Sequence, residues 1–154
     1  MIMPIQGEEE GTQEEQRVYA EYEARFEVIN TVLNQLDCFG IRIDKEYPLD
    51  ELVRRIKDEI ERAQFLVADL TDERPSCYFE AGYAEGAGKP VIYVASENSV
   101  LDPKLRTQIH FDIHKNVQFV RNRKQLGSKV RAVFEKNRGV LLGSEQRSEE
   151  KLVP

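Results

Sequence analysis

Two runs of apolar residues, Phe65-Leu66-Val67-Ala68 and Pro90-Val91-Ile92-Tyr93-Val94-Ala95, contain no alternation with polar residues. A strand with one wet face alternates in polarity, whereas a strand covered on both faces does not. The runs therefore call for a sheet with helices on both sides. The first run stops at Asp69, so a charge sits where the strand would end.

Helical periodicity fills the intervals. Val18, Tyr22, Phe26, Ile29, Leu33 and Leu36 recur every three or four positions and predict a helix over 14–36. Acidic residues crowd its start, as the positive end of a helix dipole favours. Leu49, Leu52, Val53, Ile56, Ile60 and Ala63 predict a second helix over 48–64. Residues 77–88, rich in Ala and Gly, predict a short third, and Leu126, Val130, Val133 and Phe134 a fourth over 125–137. Brief strands are expected at 1–5, 41–43 and 117–120. Residues 6–13, 70–76 and 96–110 read as connections, with His110-Phe111-Asp112-Ile113-His114 a polar loop entering the last strand. Strands alternating with helices imply right-handed crossovers and a parallel sheet. The expected class is α/β, a flavodoxin-like three-layer sandwich with about five strands. Residues 1–140 form one domain, and 141–154 a flexible polar tail.

Charge and composition exclude several functions. The 154 residues carry 22 Lys and Arg against 28 Asp and Glu, a net charge of −6, which argues against a nucleic-acid footprint. No apolar run approaches the roughly 18 residues of a membrane span, and the start is no secretory signal, so a soluble, cytosolic protein without a membrane partner is expected. The two cysteines, Cys38 and Cys77, make neither a disulfide framework nor, with His110 and His114, a metal site. No metal or cofactor is expected, and His110 remains only as a lone acid or base.

In open parallel sheets ligands bind beyond the carboxyl ends of strands. Asp69 and Asp72 flank such an end, Asp44 follows the strand at 41–43, and Glu80 lies within the helix that follows Asp69. A capping box for Glu80 needs Ser or Thr three residues earlier, and that position is Cys77. Glu80 is thus a dipole-stabilised or solvated acid, or a functional one. Asp69 reads equally as an Asx turn with Thr71 or as the rim of a cleft. Asp72 reads as a solvated loop charge. Gly82, Gly86 and Gly88 do not make a phosphate loop, since no Gly-Lys-Ser/Thr follows, and they read as letting the helix lie close to the sheet. Tyr78, Phe79 and Tyr83 read as core more readily than as a base-stacking platform.

Further motifs carry a resemblance. Phe65-Leu66-Val67-Ala68-Asp69-Leu70-Thr71, Pro75-Ser76-Cys77-Tyr78-Phe79-Glu80-Ala81-Gly82-Tyr83-Ala84 and Gly88-Lys89-Pro90-Val91-Ile92 are similar to the "ADLT…NPNVYYELGYA…GKPVI" pattern of the nucleoside 2-deoxyribosyltransferase superfamily. They equally resemble related nucleotide-binding domains with a TIR-like fold. Ile2-Met3-Pro4-Ile5, Arg42-Ile43-Asp44 and Phe111-Asp112-Ile113 resemble that superfamily's "VxxMPF", "RAD" and "PFD". The likeness spans roughly residues 1–135. It implies a cleft for a nucleoside or nucleotide, with Glu80 attacking the anomeric carbon and Asp69 or Asp72 holding or protonating the base. It further implies that Asp44, Asp72, Arg74, Tyr78 and Asp112 bind substrate, and that the protein is a homo-oligomer. Glycosidic cleavage passes through an oxocarbenium-like state that a carboxylate stabilises or traps. The chain departs from the pattern where "ELG" is Glu80-Ala81-Gly82 and "NPNV" is Arg74-Pro75-Ser76-Cys77. Arg74 adds a charge that favours a phosphate. The expected activity is cleavage or transfer at the N-glycosidic bond of a nucleoside, nucleotide or NAD-like molecule. The alternative is a non-catalytic nucleotide-binding or signalling module.

Overall fold

The computed structural model describes residues 1–4, 6–42 and 49–143, except the side chains of Leu49, Asp50 and Phe111. Helix α1 (Gln13–Gln35) opens on a capping box: the Thr12 hydroxyl accepts from the Glu15 amide while the Glu15 carboxylate accepts from the Thr12 amide. The loop before it turns through Gly7 at φ +74°, where an added Cβ would stand 2.3 Å from the Glu15 carbonyl oxygen. Only glycine allows this close return onto α1. Helix α2 (Leu49–Arg62) leads into strand β1 (Leu66–Asp69), every residue of which is buried. A single 3₁₀ turn, Thr71–Glu73, joins β1 to helix α3 (Pro75–Gly86). Strand β2 (Val91–Ser96), a short helix α4 (Phe111–His114), strand β3 (Val117–Val120), helix α5 (Arg123–Lys136) and a last turn α6 (Arg138–Leu141) complete the described chain.

The class is α/β with a parallel sheet, but among the described residues the sheet has three strands, ordered β1-β2-β3. About five were expected. The N-terminal strand is reduced to one parallel bridge, Ile2 to Ala68, held by the Ile2 amide on the Val67 carbonyl at 2.9 Å and the Asp69 amide on the Ile2 carbonyl at 2.8 Å. Of the strand expected at 41–43, Ile41 and Arg42 adopt no strand and Ile43 lies outside the described residues. The helix over residues 111–114 replaces an expected loop, and α3 begins at Pro75, two residues earlier than the composition suggested. Pro75 at the helix's first turn has no amide to leave unsatisfied. Leu141, at the start of the expected tail, is buried in the core, and residues 144–154 lie outside the described residues.

Strand alternation sorts the core into two layers. Val67, Ile92, Val94 and Val120 pack under α1 and α5 through Ile29, Leu33, Leu126, Val130 and Phe134. Leu66, Ala68, Tyr93 and Ala95 pack against α2 and α3 through Ile60, Cys77, Ala81 and Ala84. The close approach of α3 to the sheet is made by Ala81 and Ala84, both buried. The expected role of the helix glycines is not what the structure shows. Added Cβ atoms at Gly82, Gly86 and Gly88 would meet nothing within 4 Å.

Candidate functional site

A cavity of about 560 Å³ runs along the β1 edge of the sheet. That volume falls in the range of small-molecule sites. Its walls are the Met1–Met3 segment, residues 37–42, the inner face of α2 and the first turns of α3, and no residue of β2 or β3 lines it. It therefore lies beside the sheet, on the side of the N-terminal bridge, rather than centrally over the strands' carboxyl ends.

Glu80 lines this cavity, together with Arg74, Ser76 and Phe79. Ser76, Phe79 and Glu80 are three and four residues apart, so they share one face of α3. Glu80 is partly buried, and burial raises its carboxyl above the ordinary carboxylate value. The α-amino group of Met1, which donates to the Ile41 carbonyl, works against that rise; burial holds this amine down to about 6. Two further carboxyl groups line the cavity, Asp37 and Glu59. Sequence reasoning missed both. The signal for Glu59 was its place on the apolar stripe of α2, three residues after Ile56.

The other expected site residues lie elsewhere. Asp69 is fully buried and does not line the cavity. Its side chain shares the Val67 side of β1, where Arg25 of α1 pairs with it at 2.7 Å. The second carboxylate oxygen accepts from the Thr71 amide at 3.1 Å and the Thr71 hydroxyl at 2.6 Å. The Thr71 oxygen accepts in turn from Arg25 at 3.1 Å and from the Ser96 amide at 2.8 Å. This is an Asx turn closed by a buried ion pair, and period-two alternation sets it across the sheet from α3 and Glu80.

Asp72 is likewise bound into the scaffold. It stands in the left-handed region at φ 62°, and its carboxylate accepts from the Tyr22 hydroxyl at 2.5 Å and the amides of Val100 and Leu101 at 3.1 and 3.2 Å. Tyr78 donates to Glu73 at 3.1 Å and accepts from the His110 amide at 3.3 Å. Asp112 is exposed and faces the His110 ring nitrogen at 3.3 Å. None of Asp72, Tyr78 and Asp112 lines the cavity. Asp44 lies outside the described residues. Of the expected residues that the structure describes, Glu80 and Arg74 come together here. Arg25 was also missed, although it sits three residues after Tyr22 and four before Ile29, on the buried stripe of α1.

Cys38 and Cys77 are free thiols, and burial pushes Cys77 up to about 12. Among the described residues, no group of three or more His, Cys, Asp and Glu is arranged to hold a metal ion, and no helix is long and apolar enough to cross a membrane. Compared with protein-family models, curated proteins and solved structures, the chain finds no match.

Proposed function

We propose that the protein cleaves or transfers the N-glycosidic bond of a nucleoside, nucleotide or NAD-like molecule, with Glu80 as the nucleophile. The observation that carries this reading is a partly buried glutamate, raised toward its neutral form by burial, on the wall of a cavity of about 560 Å³. The likeness of the β1–α3 and Gly88–Ile92 segments to deoxyribosyltransferase motifs supports it. In the step proposed, a Glu80 carboxylate oxygen bonds to the anomeric carbon as the carbon–nitrogen bond breaks. The bonding pair leaves with the base, which takes up a proton. Water or a second base then attacks the anomeric carbon of the glycosyl ester, gives up a proton, and frees the carboxylate.

Asp69 and Asp72 are committed to buried and backbone hydrogen bonds, so among the described residues Asp37 and Glu59 are the other carboxyl groups on the cavity wall from which the base could take its proton. The same commitment favours the second reading, a nucleotide-binding module without chemistry. Incubation with a panel of nucleosides, nucleotides and NAD, followed by chromatography for free base, separates the two. The enzymatic reading expects release by the native protein and at least a hundredfold slower release by Glu80→Gln. Tight binding with no release from any member of the panel supports the binding module instead.

A further inference from the structure

Three arginines line the cavity, Arg42, Arg62 and Arg74. Arg42 is held by Glu23 at 2.8 Å and lies over the Phe26 ring, and Arg62 stands 3.7 Å from Glu59. Arg74, the residue just before α3, has no counter-ion among the described residues. Ser76 lies next to it on the same wall with its side chain exposed. One turn further on, Phe79 is 57% exposed, and Phe39, at 93%, lines the same cavity. Exposed aromatic rings gathered at a concave site mark a surface that a ligand covers. The wall thus runs in a fixed order: cation and hydroxyl, then aromatic ring and carboxylate. Ser76 and Glu80 are separated by four residues, about 6 Å along the helix axis. The phosphate and the anomeric carbon of a nucleotide are separated by a distance of the same order.

From this order we infer that the cavity selects a nucleoside 5′-phosphate over the free nucleoside, with the phosphate on Arg74 and Ser76 and the base against Phe79. The inference rests on the proposed reading of the site and narrows it to one substrate class. A guanidinium presents paired donors that match a phosphate's oxygens, and such charge-assisted bonds exceed neutral ones in strength. A phenyl face accepts any base, so selectivity lies in the anion while the ring supplies affinity.

Calorimetry on the full chain tests this apart from catalysis, using Glu80→Gln so that ligands stay intact. Matched pairs of a nucleoside and its 5′-monophosphate are titrated, with ribose 5-phosphate as the probe for the anion alone. The monophosphate is expected to bind at least tenfold tighter than the nucleoside. Arg74→Ala should erase that difference while leaving nucleoside affinity unchanged. Phe79→Ala should weaken both ligands by a similar factor and leave ribose 5-phosphate binding intact. Equal affinities for the pair, no binding of either, or a monophosphate affinity indifferent to Arg74→Ala overturns the inference. A change of oligomeric state in Phe79→Ala with unchanged affinities overturns its aromatic half and marks the rings as a contact between copies. Selective binding without base release by the native protein sinks the proposed chemistry and leaves this inference standing.

Discussion

Two carboxylates near the end of one strand have opposite fates, and single side chains explain why. Asp69 has its charge compensated by Arg25 and its lone pairs filled by Thr71, all inside the fold. Removing one partner of a buried pair leaves an uncompensated charge, so Arg25→Met should cost about 3–5 kcal/mol in urea unfolding. Replacing both, Arg25→Met with Asp69→Leu, should recover much of that loss. An Arg25→Met protein as stable as the native one would contradict the pairing. Among the described residues Glu80 has no such hydrogen-bonded partner, and burial raises it above its ordinary value of 4.5 against the opposing pull of the Met1 amine. A raised carboxyl favours the folded state while protonated: the gain is complete below 4.5 and fades as pH climbs through the raised value. Against Glu80→Gln as reference, the native protein should lose stability as pH rises from 4.5. A difference between the two that is flat with pH would show that the carboxyl is not raised. On the proposed chemistry the same ionisation should set the acid limb of base release above 4.5, because a glutamate nucleophile acts as the carboxylate.

Elements carry the next set of consequences. Gly82 lies inside α3, and an added methyl would meet nothing within 4 Å. Glycine in a helix interior is less stable than alanine by roughly 0.5–1 kcal/mol, so Gly82→Ala should stabilise by about that much on thermal unfolding. Destabilisation would mean that an added Cβ at Gly82 meets a neighbour, against the open space found there. Asp72 ties the β1–α3 turn to Tyr22 and to the 98–106 excursion, which closes on an Asn98–Arg106 bridge. Asp72→Ala should speed amide exchange at Val100 and Leu101 by at least tenfold while leaving the β2 amides protected. Unchanged exchange there would show that the carboxylate does not hold the loop. These elements also show what sequence reveals. The two apolar runs were legible because parallel strands buried on both faces show no alternation, as β1 and the centre of β2 do; the 117–120 strand, whose Gln118 and Phe119 are half-buried, was legible only as a short β-branched and aromatic stretch. The α1 and α2 stripes were legible because three- and four-residue spacing has a single geometric meaning. The start of α3 was read late because Pro75 and Ser76 look like loop residues, and α4 was missed because four residues are too few for a period.

At the scale of the whole molecule, sequence order and spatial order part company. Asp69, Asp72 and Glu80 are neighbours along the chain, and a rim shared by all three was a natural expectation. They point different ways: Asp69 shares the α1 side of β1, Asp72 locks a loop, and Glu80, on α3 across the sheet, faces the cavity that runs along the β1 edge. Which side of β1 Asp69 takes follows from period-two alternation with Val67, and the partner that meets it there, Arg25, lies 44 positions away in the chain. The cavity walls come from residues 1–3, 37–42, α2 and α3, segments that no local pattern links. Glu59 and Asp37 entered the site for that reason without a motif to announce them. The central claim is that Glu80 bonds covalently to a sugar. Its most direct measurement is mass spectrometry of the acid-quenched protein after incubation with substrate, followed by peptide mapping. The account predicts a glycosyl adduct on the α3 peptide, located at Glu80 and absent from Glu80→Gln. An adduct at another residue, or native-rate base release by Glu80→Gln with no adduct, would contradict it.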